Sequence, residues 1–322
     1  MKYFIKIFAI AFLCFALAVG AGVMAYMKIY DPQDDLDSNN PKNPIDVGDN
    51  VNNNNEEKDP FKIAINNSKR VNVLLLGLES TRTDTIIFAS FDPKTKKVDM
   101  LSIPRDTYYW DKGYNKPDQK KINAKYGRSN AKGTMNAVST LLGGVPIHYY
   151  VSITYKGVED IVDSLGGVEV NVPFHMVYHD TTVGKSLHID IPKGLQTLDG
   201  KNAVKFLRYR KGYRDGDLGR VRAQQQFIKS AINKALGFRL PIVIKKSFSC
   251  VKTDMPLTDM LMYAKDVYGI NPSEDISMSV LSGKARMKDG LSYFFHDPKM
   301  TREYVMKLYD VKEENKVAND KK

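Results

Sequence analysis

Arginine is concentrated in one stretch of this 322-residue chain, between Ala203 and Gln226. The stretch holds five arginines and two lysines but only two acids, Asp215 and Asp217. A guanidinium is a planar fork of donors that stays charged and can bind two phosphate oxygens at once. This composition favours a site for a multiply charged anion such as a pyrophosphate. A solvated basic helix face explains an isolated run of charges about equally well.

The local geometry expected for this stretch brings several cations onto one wall. Side chains alternate along a strand, so Arg208 and Arg210 point the same way if their backbone is extended. Asp217 is placed to cap the helix predicted to begin at the next residue. On that helix Arg220 and Gln224 are four residues apart and share a face. The helix N-terminus adds a further attraction for phosphate.

A second group of charged residues follows predicted strands earlier in the chain. Glu79, Arg82 and Asp84 lie between two apolar runs, and Arg105 and Asp106 come directly after a third. Ligands of α/β proteins commonly bind at strand ends, so these side chains are candidates for one site. Mg²⁺ is usually bound by one or two carboxylates together with substrate phosphates, which makes Asp84 the first candidate ligand. The alternative role of Asp84 is to orient a neighbouring arginine, and Asp106 is expected to do the same.

The elements that must position these residues follow from hydrophobic periodicity. Apolar runs predict strands at 71–76, 86–91, 98–103, 149–153, 168–172, 187–191 and 276–281. Helical patterns are predicted near 134–142, 156–165, 218–236, 241–249, 257–268 and 298–309, and a further helix is predicted from Asp199 that delivers Arg208 and Arg210. Strands that alternate with helices predict an α/β fold, a three-layer α–β–α domain with a central mixed sheet. His175 and His179 are expected in a loop after Pro173, where no helix aligns them for metal binding.

The N-terminal segment predicts one transmembrane helix before this domain. Residues 7–27 carry no charge, and about 20 apolar residues suffice to span a bilayer. A cleaved signal peptide, the alternative, has a shorter apolar region of about 7–15 residues. Lys2 and Lys6 precede the segment and acids follow it, which predicts a cytoplasmic N-terminus at 1–6 and an extracellular remainder.

Charge and composition divide the rest of the chain. The net charge is +11; residues 1–28 carry +3 and residues 29–66 carry −6, which leaves +14 for residues 67–322. The acidic, Asn-rich composition predicts a flexible extracellular linker at 28–67, followed by a folded domain at 68–311. A lysine-rich tail at 312–322 is predicted to be disordered. A domain with this positive charge is expected to bind an anionic partner. The candidates are a nucleic acid, a phospholipid surface and a phosphorylated polymer.

An ordered set of short motifs resembles the LytR–CpsA–Psr family of cell-wall enzymes. The matching motifs are Leu75-Leu76-Gly77, Arg82-Thr83-Asp84-Thr85, Ser102-Ile103-Pro104-Arg105-Asp106-Thr107, Lys121-Ile122-Asn123-Ala124, Leu142-Gly143-Gly144, Asp163-Ser164-Leu165-Gly166-Gly167-Val168, Leu198-Asp199-Gly200, Arg208-Tyr209-Arg210 and Gly216-Asp217-Leu218-Gly219-Arg220. Each motif alone is weak. In this order over roughly 70–236, together with an N-terminal anchor, they are specific.

The resemblance implies a membrane-anchored phosphotransferase whose domain lies outside a bacterial cell. Such an enzyme transfers an anionic glycopolymer, for example teichoic acid or capsule, from a polyprenyl-pyrophosphate carrier to peptidoglycan. The new bond is a phosphodiester at a muramic-acid hydroxyl, and pyrophosphatase activity is an expected side reaction. An apolar channel under the arginines is expected to hold the polyprenyl tail.

The resemblance also assigns roles to individual residues. It places the pyrophosphate-binding and catalytic set on Arg82, Asp84, Arg105, Arg208, Arg210, Asp217 and Arg220. Lys121, Asn123 and Gln224 are expected to contact substrate, and Asp84 with Glu79 to hold Mg²⁺ or Mn²⁺. Asp217 is a candidate helix cap, orienting group or general base. The chain departs from the family pattern twice, with Glu79 in place of a common Asp and Ala223 directly before the paired glutamines, where an Arg is usual.

Two other functions fit parts of the sequence. The basic domain alone would suit a nucleic-acid-binding transcriptional regulator, but the predicted extracellular location argues against nucleic acid as a partner. A non-enzymatic protein that binds a wall polymer would need the cationic surface but would not catalyse phosphoryl transfer. Substitution of Arg208 or Asp84 separates this binder from the enzyme, because only the enzyme loses polymer transfer.

Overall fold

A computed structural model describes residues 59–180, 187–236, 247–267 and 270–311. Four predicted segments lie outside the described residues: the cytoplasmic N-terminus 1–6, the predicted transmembrane helix 7–27, residues 28–58 of the predicted linker and the predicted tail 312–322. Most of the helix predicted near 241–249 does so too. No helix in the described ranges is both long and apolar enough to cross a membrane.

A mixed sheet forms the centre of the described domain. Its six strands in the described part of the chain run in the order β10–β3–β2–β1–β4–β9. Their bounds are β1 Val71–Glu79, β2 Arg82–Phe91, β3 Val98–Ser102, β4 Tyr149–Thr154, β9 Val251–Thr253 and β10 Ile276–Val280. Strand β1 pairs antiparallel with β2 but parallel with β4, so the ends of β1 and β4 meet at one edge. The mixed α/β sheet predicted from the sequence is confirmed.

Helices cover both faces of this sheet, because successive strand side chains point to opposite sides. One face packs Leu74, Leu76 and Phe88 against α1 (Pro60–Asn67), α2 (Lys125–Leu141) and α7 (Pro298–Leu308). The other face packs Ile87 and Met100 against α5 (Asp217–Ala235) and the segment after α6 (Leu257–Asp266). The remaining described helices are α3 (Tyr155–Ser164) and α4 (Gly200–Arg208).

Helix α1 corrects the predicted start of the domain. The linker was predicted to extend to residue 67, but Pro60–Asn67 is helical and Asp59 caps it by accepting a hydrogen bond from the Phe61 amide. Phe61 and Ile65 are 5% and 9% exposed and belong to the main apolar core. Four-residue spacing puts both on one helical face, so the packed domain begins near residue 59.

A second, smaller core lies under two antiparallel strand pairs. Strand β5 (Val168–Val172) pairs with β8 (Gly194–Leu198), and β6 (Met176–Asp180) pairs with β7 (Leu187–Ile191). Alternate side chains of these strands pack against α3, α4 and α5 around the buried Phe206 and Phe227. This core fixes α4, at whose end the first site arginine lies. The last strand pair, β11 (Gly283–Lys288) with β12 (Leu291–His296), adjoins the segment after β3 through the bridge Thr107–Phe294.

The loop predicted around His175 and His179 was wrong in part. His179 lies in β6, directly opposite His188 in β7, with their Nδ1 atoms 2.9 Å apart. The His175 ring instead contacts Asp190 at 2.7 Å. No group of three metal-ligating side chains occurs among the described residues.

Candidate active site

Asp84 reaches the site through an irregularity in strand pairing. The register of β1 and β2 shifts after the pair Gly77–Thr85, and Leu78 then pairs with Thr83. Asp84 is therefore the extra residue of a β-bulge, a feature that often re-aims side chains near active sites. An unbulged strand would put Asp84 opposite Leu78, whose side chain lies in the apolar core. Gly77 permits the close approach, since a Cβ there would lie 3.0 Å from the Thr85 Cβ.

Three side chains from different elements donate hydrogen bonds to the Asp84 carboxylate. Arg105 binds Oδ1, while the Tyr155 hydroxyl and Arg210 Nη2 bind Oδ2 at 2.7 and 3.1 Å. Asp84 is only 6% exposed. Burial alone would raise its pKa, but the hydrogen bond from Glu79, the guanidiniums of Arg105 and Arg210 and the Tyr155 hydroxyl outweigh burial and hold the pKa well below its usual range. Asp84 is therefore an ionised acid at the centre of a cationic cluster.

Glu79, at the end of β1, is the second acid of the cluster. Arg208 Nη2 lies 2.9 Å from its Oε1, and Arg210 Nη2 lies 3.9 Å from its Oε2. Burial and the hydrogen bond to the neighbouring Asp84 carboxylate raise the pKa of Glu79. The two carboxyl groups thus have pKa values shifted in opposite directions, as adjacent acids commonly do.

Arg208 and Arg210 converge, although not from a continuous strand. Arg208 is the last residue of α4, which begins after the N-cap Asp199, whose side chain accepts a hydrogen bond from the Asn202 amide. The backbone becomes extended only at Tyr209, which is 5% exposed and anchored in the smaller core. Both arginines therefore reach the same pair of acids, but the extended backbone that would have aligned them does not include Arg208.

Tyr155 is a site residue that sequence reasoning missed. It follows β4 and opens α3, whose N-cap Thr154 accepts a hydrogen bond from the Gly157 amide. Parallel pairing of β4 with β1 places it beside Glu79. The Arg208 guanidinium lies 4.8 Å from the centroid of its ring. Burial and the Asp84 charge raise the pKa of Tyr155, so its hydroxyl stays a donor. Its position directly after a strand was the signal that could have identified it.

Helix α5 carries Arg220 and Gln224 on one buried face, as predicted. Arg220 is 2% exposed and Gln224 is 7% exposed. The helix begins at Asp217, and Gly216, with φ 59°, occupies the N-cap. The predicted cap at Asp217 was therefore wrong, because Asp217 is already the first helical residue. Its other predicted roles stay predictions.

Arg82 lies across from Glu79 in the β1–β2 pair, and Lys121 and Asn123 contact the segment that carries Arg105 and Asp106. Arg82 is 43% exposed in its side chain and pairs with Asp118 at 2.8 Å. Lys121 pairs with Asp106 at 3.0 Å, so Asp106 supports a lysine where an arginine was predicted. The backbone amide of Asn123 donates a hydrogen bond to the Arg105 carbonyl at 3.2 Å. The buried side-chain Oδ1 of Asn123 has no hydrogen-bond partner among the described residues.

An apolar cavity opens beside the two central acids. Its volume is about 410 Å³, and Asp84, Tyr155 and Gln224 contribute polar groups to its lining. The rest of the lining is mainly apolar. It comes from the sheet, from α5 and from parts of α3, α4 and α6, and it includes Leu75, Ile87, Val151, Ile153, Phe227 and Ile228. A cavity with apolar walls and a few convergent polar groups is typical of a ligand site. A ligand with a hydrocarbon part and an anionic head fits this arrangement, because the hydrocarbon matches the apolar walls and the anionic head matches the neighbouring arginines.

The donor set of the two acids fits Mg²⁺ or Mn²⁺ in part. Asp84 is ionised and Glu79 lies within hydrogen-bonding contact of it, so two carboxyl groups converge. Mg²⁺ needs only one or two carboxylates when substrate phosphates supply the other oxygens. The absence of a third ligating side chain in the described ranges means that such an ion would depend on the substrate.

Comparison with known proteins agrees with this geometry. The LytR_cpsA_psr family model matches residues 35–309. Polyisoprenyl-teichoic acid–peptidoglycan teichoic acid transferase TagU of Enterococcus faecalis (strain ATCC 700802 / V583) is 31% identical over 306 residues, which is 91% of each chain. The crystal structure of B. subtilis TagV has a TM-score of 0.65 and 27% identity, covering 76% of this chain and 99% of that one.

A second solved structure, described as TagT bound to LI-WTA, has a TM-score of 0.60 and 26% identity. It covers 79% of this chain, and this chain covers 92% of it. The family match extends over most of the described domain, including the strand ends and arginines that form the cluster. This chain belongs to the LytR–CpsA–Psr family.

Proposed function

We propose that this protein is a phosphotransferase that moves a teichoic-acid-like anionic glycopolymer from a polyprenyl-pyrophosphate carrier to peptidoglycan. The observation that carries this proposal is the meeting of Arg105 and Arg210 with Asp84, and of Arg208 with Glu79, beside an apolar cavity that Asp84 helps to line. A lipid diphosphate has the complementary parts, because its hydrocarbon fits the cavity and its two phosphates fit the guanidiniums. The named function of the TagU relative supports the same conclusion.

The cluster can perform the chemistry of phosphoryl transfer by charge and position. A peptidoglycan hydroxyl oxygen bonds to the phosphorus next to the polymer, and the bond from that phosphorus to the bridging oxygen breaks. Polyprenyl phosphate leaves with the bridging oxygen, and the hydroxyl loses its proton. Phosphoryl transfer depends mainly on charge neutralisation and in-line placement, which fixed guanidiniums provide.

Asp84 and Glu79 would hold a magnesium or manganese ion in this site. Such an ion neutralises phosphate charge when it is bound. In the protein itself, Asp84 holds Arg105 and Arg210 in place, and Glu79 holds Arg208. The two acids therefore position the arginines whether or not a metal binds. Arg82, Lys121, Asn123, Arg220 and Gln224 remain proposed substrate contacts; of these, Asn123, Arg220 and Gln224 are buried and would meet substrate from within the site.

Activity assays of two cluster variants test the enzyme against a simple polymer binder. Arg208→Ala and Asp84→Ala should each lower transfer by about 100-fold or more in a reconstituted assay, since single electrostatic groups are worth this much. The matched control is Arg222→Ala, because Arg222 is 59% exposed and pairs with Asp215 outside the cluster. Normal transfer by both cluster variants would show that the cluster is not the catalytic site, and no transfer by the wild-type protein would indicate a binding protein without catalysis.

We propose further that the chain is a single-pass membrane protein with the described domain outside the cell. The uncharged run at 7–27 and the lysines before it support this orientation. With Cys14 and Cys250 replaced, a cysteine introduced at the exposed Lys288 should react with a membrane-impermeant maleimide in intact cells. Reaction only after lysis would place the domain in the cytoplasm and reopen the nucleic-acid alternative.

A further inference from the structure

An exposed aromatic surface lies beside the arginine cluster. It belongs to residues 108–121, here called the aromatic loop, which follow β3 and precede α2. Trp110 is 51% exposed and Tyr114 is 38% exposed. Trp110 is also the single tryptophan of the chain. Large aromatic side chains are more often buried, so two exposed on one loop call for a physical explanation.

The aromatic loop is firmly held, although its rings face solvent. Arg128 of α2 donates to the Gln119 carbonyl and to Asp111, both at 2.8 Å. Its guanidinium lies 4.6 Å from the centroid of the Tyr114 ring. Lys125 also binds Asp111, at 2.9 Å. The side chains of Arg128 and Asp111 are only 9% and 18% exposed, so these ion pairs are protected and rigid.

The same loop is fastened to the rim of the site. The Tyr109 amide binds the Lys120 carbonyl at 2.9 Å, which brings the two arms of the loop together. Asp118, on the second arm, binds Arg82 at 2.8 Å. Beyond the loop, the Asn123 amide binds the Arg105 carbonyl. The loop that carries the two aromatic rings is therefore attached to the edge of the site at Arg82.

We propose that the aromatic loop docks the glycan strand of the peptidoglycan acceptor, an inference that rests on the proposed function. The cavity and the arginines account for the lipid and diphosphate of the donor. The acceptor must approach from solvent with one hydroxyl facing the cluster, and the exposed Arg82, which binds Asp118 of the aromatic loop, lies between the loop and Glu79. Sugar rings present apolar C–H faces that pack on aromatic rings, as other amphipathic ligands do at exposed tryptophans.

The polar groups of the loop fit the same occupant. Asn115 Oδ1 accepts a hydrogen bond from Trp110 Nε1 at 3.3 Å, which holds the indole and leaves its face open. Lys112 and Lys116 are exposed on the loop. In a peptidoglycan strand every second sugar carries a lactyl carboxylate once its peptide is removed. A row of acetylated sugars with periodic carboxylates therefore matches aromatic faces flanked by ammonium groups.

The single tryptophan reports directly on this binding. The full-length protein in detergent is titrated with soluble, peptide-free strands of alternating N-acetylglucosamine and N-acetylmuramic acid, and tryptophan emission is recorded. A saturable blue shift is expected, because the sugar displaces water from the indole. A second titration with lipid-free teichoic acid should leave the emission unchanged.

Variants test the contribution of the ring by calorimetry. Trp110→Ala should weaken strand binding by about tenfold, whereas Trp110→Phe should retain most of it because an aromatic face remains. The matched control is Leu195→Ala, which removes a large exposed apolar side chain from β8, away from the aromatic loop. Circular dichroism checks the fold of each variant. Wild-type affinity in Trp110→Ala, or no emission change with the strand, would overturn the proposal.

The outcomes separate this proposal from the proposed function. Arg208→Ala should lose transfer but bind the strand with unchanged affinity, because Arg208 is outside the aromatic loop. A wild-type protein that transfers polymer but shows no strand binding refutes the docking surface alone. Strand binding without any transfer refutes the enzyme alone. An emission shift with teichoic acid in place of the strand would assign the loop to the donor and contradict the acceptor assignment.

Discussion

Asp84 is the residue on which the site converges, and its position depends on details at the scale of single atoms. The sequence motifs placed Asp84, Glu79 and the arginines in one site, because charged residues at strand ends are recognisable. They did not predict the bulge that turns Asp84 towards the cavity, since pairing register depends on the partner strand. Nor did they indicate Tyr155, because a tyrosine at the start of a helix is usually part of the core.

Tyr155→Phe tests the missed residue. The variant removes the hydroxyl that donates to Asp84 Oδ2 but keeps the ring under Arg208. A hydrogen bond to a charged group is worth about 1.5–3 kcal/mol, so transfer should fall by about tenfold or more. Tyr149→Phe is the matched control, since its hydroxyl bonds Asp259 at 3.2 Å and lines no part of the apolar cavity. If Tyr155→Phe transfers polymer as fast as Tyr149→Phe, the Tyr155 hydroxyl does not contribute to the reaction.

At the scale of elements, helix α4 determines where two of the arginines lie. Its start was predictable, because Asp199 is a typical N-cap, and so was its delivery of Arg208. Its end was not predictable, because the change of backbone direction at Tyr209 depends on burial of that ring in the smaller core. A local sequence pattern does not contain this tertiary contact.

Removing the cap of α4 should affect activity as well as stability. Asp199→Ala removes a cap and should cost about 1 kcal/mol of unfolding free energy. Asp297→Ala is the matched control, because Asp297 caps α7, which packs on the opposite face of the sheet. Urea denaturation should show similar losses in both variants, while transfer should fall only in Asp199→Ala. If both variants transfer normally, the position of the two arginines at the end of α4 does not depend on the Asp199 cap.

At the scale of the whole molecule, the predicted division of the chain into segments was based on charge and apolar content. The predicted domain boundary at residue 68 was late, because the acidic, Asn-rich composition of the preceding residues hid a short amphipathic helix. The signal was present, since Phe61 and Ile65 have helical spacing. Eight residues are too few for a stable helix alone, so packing against the sheet must supply the stability.

Truncation measures this contribution. A fragment beginning at Ser68 should be about 3–5 kcal/mol less stable than one beginning at Asp59, because it loses the burial of Phe61 and Ile65. Urea denaturation of both fragments gives the difference. Within the longer fragment, Ile65→Ala should destabilise by about 2–4 kcal/mol, whereas Ile63→Ala, at a 46% exposed position, should change little. Equal stability of the two fragments would exclude α1 from the domain.

The carboxyl contacts of Arg208 and Arg210 have a consequence for how tightly a donor is held. A guanidinium has five N–H donors, and the contacts with Glu79 and Asp84 use only some of them. Ordering a long side chain on ligand binding costs about 0.5–1.5 kcal/mol, and here that ordering is complete before any anion arrives. The acids of the cluster therefore lower the ordering cost of binding a negatively charged molecule, while their own charge opposes its binding.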